Sequence, residues 1–219
     1  MKIEIKEYTK ELDHNIILKN INLQLEGGKI YGLIGRNGSG KSILLKSICG
    51  LAEINTGEIK INNKILGKDI EFSPDIGAVL DGAGFIPYLS GFKNLKLLAS
   101  INNKITDEDI RETMKSLLLE PNDNKPYKKY SLGMKHKLAL AQALMESPKI
   151  LILDEPFNAI DNESVKEIRD RLIKYRDKGA LILITSHIAE DIILMCDEVF
   201  KINNGELFPY DIENNMEEK

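Results

Sequence analysis

The chain has 219 residues, 42% of them hydrophobic, enough for one sizeable core with a smaller appended subdomain. Its formal net charge of −4 gives no overall pull toward nucleic acid or anionic lipid, and no nucleic-acid partner is expected. Two cysteines, Cys49 and Cys196, are too few and too far apart for a disulfide framework or a zinc site, and read as buried thiols in a reducing compartment.

The chain opens on "MKIEIKEYTK", which lacks the apolar core of a signal peptide, and no apolar run reaches the ~20 residues of a membrane-spanning helix. A cytoplasmic protein that meets a membrane through a partner is expected. "KIEIKEY" and "IILKNINLQLE" alternate as half-buried strands do. "GGKIYGLIG" is a short apolar strand ending in glycine. Lys41 to Cys49 then reads as a helix closed by Gly50. "GEIKINNKIL" reads as a hairpin turned on Asn62-Asn63, and "DIGAVL" as a further strand.

From Asn94 to Met145 the pattern becomes helical, with Thr106 a helix cap ahead of Glu108 and Asp109. The lysines between Lys125 and Lys137 read mostly as a solvated face. After Pro148, apolar strands alternate with helices: "KILILD", "NESVKEIRDRLIKY", "ALILITS", "IAEDIILM", "EVFKIN". Such alternation predicts an α/β fold with a mainly parallel sheet, joined to an N-terminal antiparallel β subdomain and a helical insert. The boundaries expected are 1–80 and 149–210 for the core with its β subdomain, 81–148 for the insert, and 211–219 for an acidic tail.

Gly35-Arg36-Asn37-Gly38-Ser39-Gly40-Lys41-Ser42 matches G-x-x-x-x-G-K-[ST], with a strand before it and a helix after. Its glycines let successive N–H groups face a phosphate chain, Lys41 neutralises the terminal phosphates and Ser42 can ligate Mg²⁺. "ILILDEP" delivers Asp154 at a strand's carboxyl end, where open α/β sheets place ligands, and Asp154 can hold Mg²⁺ directly or through water. Glu155 can deprotonate an attacking water, work worth about 10²–10⁴-fold in rate. "ITSHIAED" brings His187 to a neighbouring strand end, within possible reach of a γ-phosphate or Glu155. "KKYSLGMKHKLALAQAL" starts a helix at Ser131 and Gly133, which can donate to a phosphate but lack a glycine loop. A weak anion site of that kind makes sense as half of a shared one, closing either on its own chain's nucleotide or on a second copy's.

With "GRNGSGKS", "YSLGMKHK", "ILILDE", "FNAID" and "TSH" in this order, the chain resembles the ATPase subunit of ABC transporters over almost its whole length. The resemblance implies ATP and Mg²⁺ as cofactors, with Ser131 and Gly133 binding the ATP held by a second ATPase subunit, identical or paralogous. It implies that Tyr8 stacks on adenine and that Asp161, in the D-loop "FNAID", is among the nucleotide-binding residues. It also implies integral membrane permease subunits as partners and a place on the cytoplasmic face of the membrane. Asp81 stands where the family has Gln; it could reach Mg²⁺ through water but cannot donate an amide hydrogen bond. An acid there, with an S-L-G-M signature, looks like subunits that export bacteriocins and peptide antibiotics. Phe85, Tyr88 and Phe92 would line the groove for the membrane partner or pack the insert's core. Two other readings are a non-transport ABC ATPase acting on DNA or ribosomes, and a P-loop kinase for a small molecule. The first lacks the long coiled coil or second ATPase unit of such relatives; the second leaves Ser131 and Gly133 unexplained.

Overall fold

A computed structural model describes residues 1–80, 84–186, 192 and 194–211. The first quarter is β-rich around one helix: β1 (Lys2–Leu12), β2 (Asn15–Glu26), β3 (Lys29–Ile34), α1 (Lys41–Ile48), β4 (Thr56–Ile61) and β5 (Lys64–Ile65). β1 and β2 form a hairpin through Asp13-His14, both at left-handed φ (48° and 62°), a turn whose twist matches that of the flanking strands. β4 pairs with the other edge of β1 and turns through Asn62-Asn63 into β5, giving an antiparallel sheet of order β2-β1-β4-β5.

The second sheet takes β3 together with β6 (Ile76–Val79), β7 (Ile150–Leu153), β8 (Leu181–Thr185), β9 (Glu198–Asn203) and β10 (Glu206–Pro209), in the order β10-β9-β3-β8-β7-β6. Every pair is parallel except the β9–β10 hairpin. Pro209, with no amide hydrogen to give, sits on the edge strand. β7 and β8 are buried along their full length, as apolar strands covered on both faces are. The side-chain period of two sends Leu151, Leu153, Ile182 and Ile184 into one core. Ile150, Ile152, Leu181 and Leu183 enter the other, with α1 and the antiparallel sheet.

On the first face lie α2 (Gly91–Asn102), α3 (Asp107–Lys115), α4 (Leu132–Leu144) and α5 (Asn162–Asp177). Thr106 and Asp109 cap α3 reciprocally, each side chain accepting from the other's backbone N–H. α4 belongs to both halves of the molecule. It packs with α2 and α3, while the Ala143 carbonyl near its end presses on Gly77 of β6 so closely that no Cβ fits there. The fold is therefore the α/β architecture expected, with the C-terminal ends of β3, β7 and β8 gathered along one edge.

Candidate functional site

The loop after β3 is shaped for a phosphate chain. Gly40, at the head of α1, has φ 104°, a conformation that favours glycine, and a Cβ there would crowd Leu18 Cδ2 at 2.7 Å. No side chain caps α1 and no acid occupies its first turn, leaving its leading N–H groups open to an anion. Lys41 is buried, and its ammonium donates to the carbonyls of Gly35 (2.8 Å) and Arg36 (3.3 Å), strapping the loop closed. Asn37, Gly38, Ser39, Gly40, Lys41 and Ser42 line an open cleft of ≈ 710 Å³ whose far wall is Asp154, Glu155 and Asn158. Arg36 is exposed beside it. Ser39 Oγ is buried without a hydrogen-bond partner.

β7 carries Asp154 to this wall, and β8, lying between β3 and β7, brings Thr185 beside it. Thr185 Oγ1 donates to Asp154 Oδ1 (2.6 Å) and accepts from the Glu155 amide (2.9 Å). One hydroxyl thus orients the first carboxylate and pins the backbone of the second, whose φ of 47° is left-handed. Asp154 is 8% exposed, and its Oδ2 is buried without a partner. A buried carboxylate oxygen in that state is suited to a cation. Among the described residues no cluster of three or more His, Cys, Asp or Glu forms a protein-only metal cage. Mg²⁺ is instead commonly held by one carboxylate, a hydroxyl and nucleotide oxygens, and Asp154, Ser42 and a phosphate chain make such a set.

Ser131, Gly133 and Asp161 are not among the residues that line this cleft. Ser131 is exposed at the head of α4; its Oγ accepts from the Met134 amide (3.2 Å) and retains a proton to donate. A Cβ on Gly133 would lie 2.8 Å from the Ala159 carbonyl, so glycine there lets α4 approach the loop after β7. Asp161 caps α5, its Oδ1 accepting from the Ser164 amide (2.9 Å) and its Oδ2 from the Ser164 hydroxyl (2.7 Å). Those bonds, and then Lys137, hold its carboxyl down to about 2. Lys137 is the exception in the solvated basic run: it is buried, with its ammonium donating to Ser164 Oγ at 2.6 Å.

One expectation is corrected. Tyr8 is fully buried, with its hydroxyl 2.6 Å from Ser47 Oγ, and cannot offer a face to adenine. Burial raises its pKa, with the Ser47 bond opposing. The apolar residues at the cleft are instead Leu12, 40% exposed at the end of β1, Ile17, and Ile43 of α1. Asp81 and His187 lie outside the described residues. Phe85 is buried in the core on the helical face of the second sheet and Phe92 packs against that core beneath Arg111, while Tyr88 is 75% exposed. The sequence reading passed over Thr185, Asn158, Leu12 and Ile17. An apolar pair beside the hairpin and a hydroxyl one residue before Ser186-His187 were the available signals.

A phosphate loop on β3, with an acidic pair on β7 one strand removed, defines a nucleotide-binding P-loop ATPase. The chain belongs to the ABC transporter family, whose family model matches residues 18–158, and is an ATP-binding subunit of it. It is 42% identical over 205 residues to YybJ of Bacillus subtilis (strain 168), an uncharacterized ABC transporter ATP-binding protein, covering 94% of each chain. It is 33% identical to the bacitracin transport ATP-binding protein BcrA of Enterococcus faecalis, covering 94% of this chain and 67% of that one. With the lantibiotic transport ATP-binding protein SrtF of Streptococcus pyogenes the identity is 31%, over 99% of this chain and 94% of that protein. The ATP-binding cassette MJ0796, in a dimeric post-hydrolysis state bound to ADP and Pi, superposes with a TM-score of 0.85 at 24% identity, covering 96% of this chain and 98% of that one.

Proposed function

We propose that this ATPase powers export of a peptide antibiotic or another amphipathic compound through separate integral membrane permease subunits, working at the cytoplasmic face of the membrane. Two copies, or this chain and a paralogue, close head-to-tail over two ATP molecules. Lys41 and the open N–H groups of α1 bind the phosphates; Ser42 and Asp154 hold Mg²⁺, which screens the phosphate charge when bound. Glu155 deprotonates the attacking water, and Leu12 with Ile17 gives the base an apolar wall. Arg36 flanks the phosphates, and Asp161 stands at the junction with the second subunit. Asp81, standing where the family has Gln, is assigned to Mg²⁺ through water, and His187, from its strand-end position and the family pattern, to the γ-phosphate or Glu155. The observation that carries the shared-site reading is that Ser131 is exposed and absent from its own chain's cleft, its hydroxyl proton available to donate to a second copy's nucleotide. The export reading is supported by the similarity to BcrA, a bacitracin transport ATP-binding protein, and to SrtF, a lantibiotic transport ATP-binding protein.

The test is drug susceptibility in a sensitive host carrying this chain with the membrane permease that co-purifies with it. Raised tolerance to bacitracin or a lantibiotic, lost with Glu155→Gln, is the expected result. Unchanged tolerance across a panel of peptide antibiotics, with both proteins present, would contradict export of this class.

A further inference from the structure

The nucleotide cleft lies at the C-terminal ends of the parallel strands. At their opposite ends, where Lys149 leads into β7 and Ala180 into β8, a second cavity of ≈ 530 Å³ opens beneath the last turns of α5. Lys149, Arg171, Lys174 and Lys178 all line it, and no Asp or Glu does. α5 is 16 residues long, roughly 24 Å at 1.5 Å per residue, and only its second half, from Arg171 on, lines this cavity.

Ordinary structural roles do not use up these cations. Lysines near a helix C-terminus often cap its last carbonyls. Here the Tyr175 carbonyl already accepts from the amides of Lys178 and Ala180, and the Arg176 carbonyl from that of Gly179. Asp177, beside Lys178 in the chain, is engaged with Arg176 at 2.9 Å, and Asp170, beside Arg171, does not line the cavity. Among the described residues none of the four cations is paired with a carboxylate. Arg171 is half-buried with its guanidinium 5.9 Å over the Tyr175 ring, and its Nε is out of water with no acceptor. Tyr175 itself is fixed, its hydroxyl donating to the Leu144 carbonyl at 3.1 Å. Four positive charges from two elements thus converge on one concavity in a chain whose net charge is −4. Their mutual repulsion is relieved by an anion, and a planar Arg among point-charge lysines suits phosphate oxygens.

The geometry points to a second anion site, formed by Lys149, Arg171, Lys174 and Lys178, that takes a ligand bearing clustered phosphates. Such a ligand is a free polyphosphate-type anion or the phosphorylated headgroup of a lipid.

The experiment uses the full chain carrying Lys41→Ala, so that the nucleotide cradle does not compete. Inorganic pyrophosphate is titrated by ³¹P NMR and calorimetry, and in parallel the protein is floated with phosphatidylcholine vesicles with and without a phosphoinositide. Saturable pyrophosphate binding is expected, weakened about tenfold or more by Lys174→Gln/Lys178→Gln, as loss of charge-assisted bonds predicts. Both of those side chains are exposed, so the substituted protein keeps its melting curve; Arg171→Gln should give a loss at least as large. Binding to phosphoinositide vesicles alone, with the same sensitivity, identifies the lipid headgroup as the source. Absence of saturable binding to either probe, or affinities untouched by these substitutions, would overturn the site.

Discussion

Lys137 and Asp161 are joined through a single hydroxyl. The Lys137 ammonium donates to Ser164 Oγ at 2.6 Å, and that hydroxyl donates to Asp161 Oδ2 at 2.7 Å, with 3.4 Å directly between ammonium and carboxylate. The helix carrying Ser131 is thereby tied to the loop that follows the acidic pair. Any shift of α4 is felt at Asp161, and the reverse.

Ser164→Ala removes the acceptor of a nearly buried ammonium and should cost about 1–3 kcal/mol in denaturant unfolding. Adding Lys137→Met to Ser164→Ala should recover part of that loss, because the stranded charge goes with it. Additive losses in the double variant would show that the two side chains act independently.

The same network sets an acid response. Asp161 has its carboxyl held at about 2 against an ordinary 3.8, chiefly by the Ser164 amide and hydroxyl. A folded-state pKa depressed in this way contributes stability above the unfolded value, lost as pH falls through the folded one. The stability difference between wild type and Asp161→Asn should therefore be full above 3.8 and vanish near 2. Unfolding curves across that range check it; a difference that persists unchanged at the acid end contradicts it.

Thr185→Val keeps the shape of the side chain while removing its hydroxyl from both Asp154 Oδ1 and the Glu155 amide. Leaving these buried groups unmet should cost about 1–3 kcal/mol in stability, and should weaken Mg²⁺ dependence of turnover, since Asp154 loses its orientation. Thr185→Ser retains the hydroxyl and should restore the magnesium response. Wild-type stability and turnover in the valine variant would remove Thr185 from this role.

Lys41→Ala should weaken ATP binding by about 10- to 100-fold, the worth of a charge-assisted contact in a partly enclosed site. Fluorescent-nucleotide titration reads this directly. Unchanged affinity would contradict the cradle.

Much of this site was legible in the chain because its signals are local. The phosphate loop is one uninterrupted stretch between a strand and a helix, and β7 and β8 announce themselves as apolar runs ending in chemistry-bearing residues. The Asn62-Asn63 hairpin is equally local. The adenine role of Tyr8 came from the family resemblance, which carries no information on the local pairing: the register of β1 shifts between Ile5 and Tyr8, where Glu7 takes φ 49°. A bulge there turns Tyr8 inward with Ile3 and Ile5, and no Gly or Pro marks it in the sequence. Thr185 gains its role only from the adjacency of β7 and β8, and Lys137 only from the packing of α4 beside α5, which are long-range facts.

The central claim is that one chain's α4 start closes over the nucleotide held by another. Light scattering on Glu155→Gln with and without magnesium ATP tests it most directly, with Ser131→Arg added as the control. Slowed hydrolysis, by about 10²–10⁴-fold, should trap a dimer when ATP is present and leave monomer when it is absent, while Ser131→Arg prevents the dimer without preventing ATP binding. Monomer throughout, with ATP demonstrably bound, or a dimer indifferent to Ser131→Arg, would contradict the account.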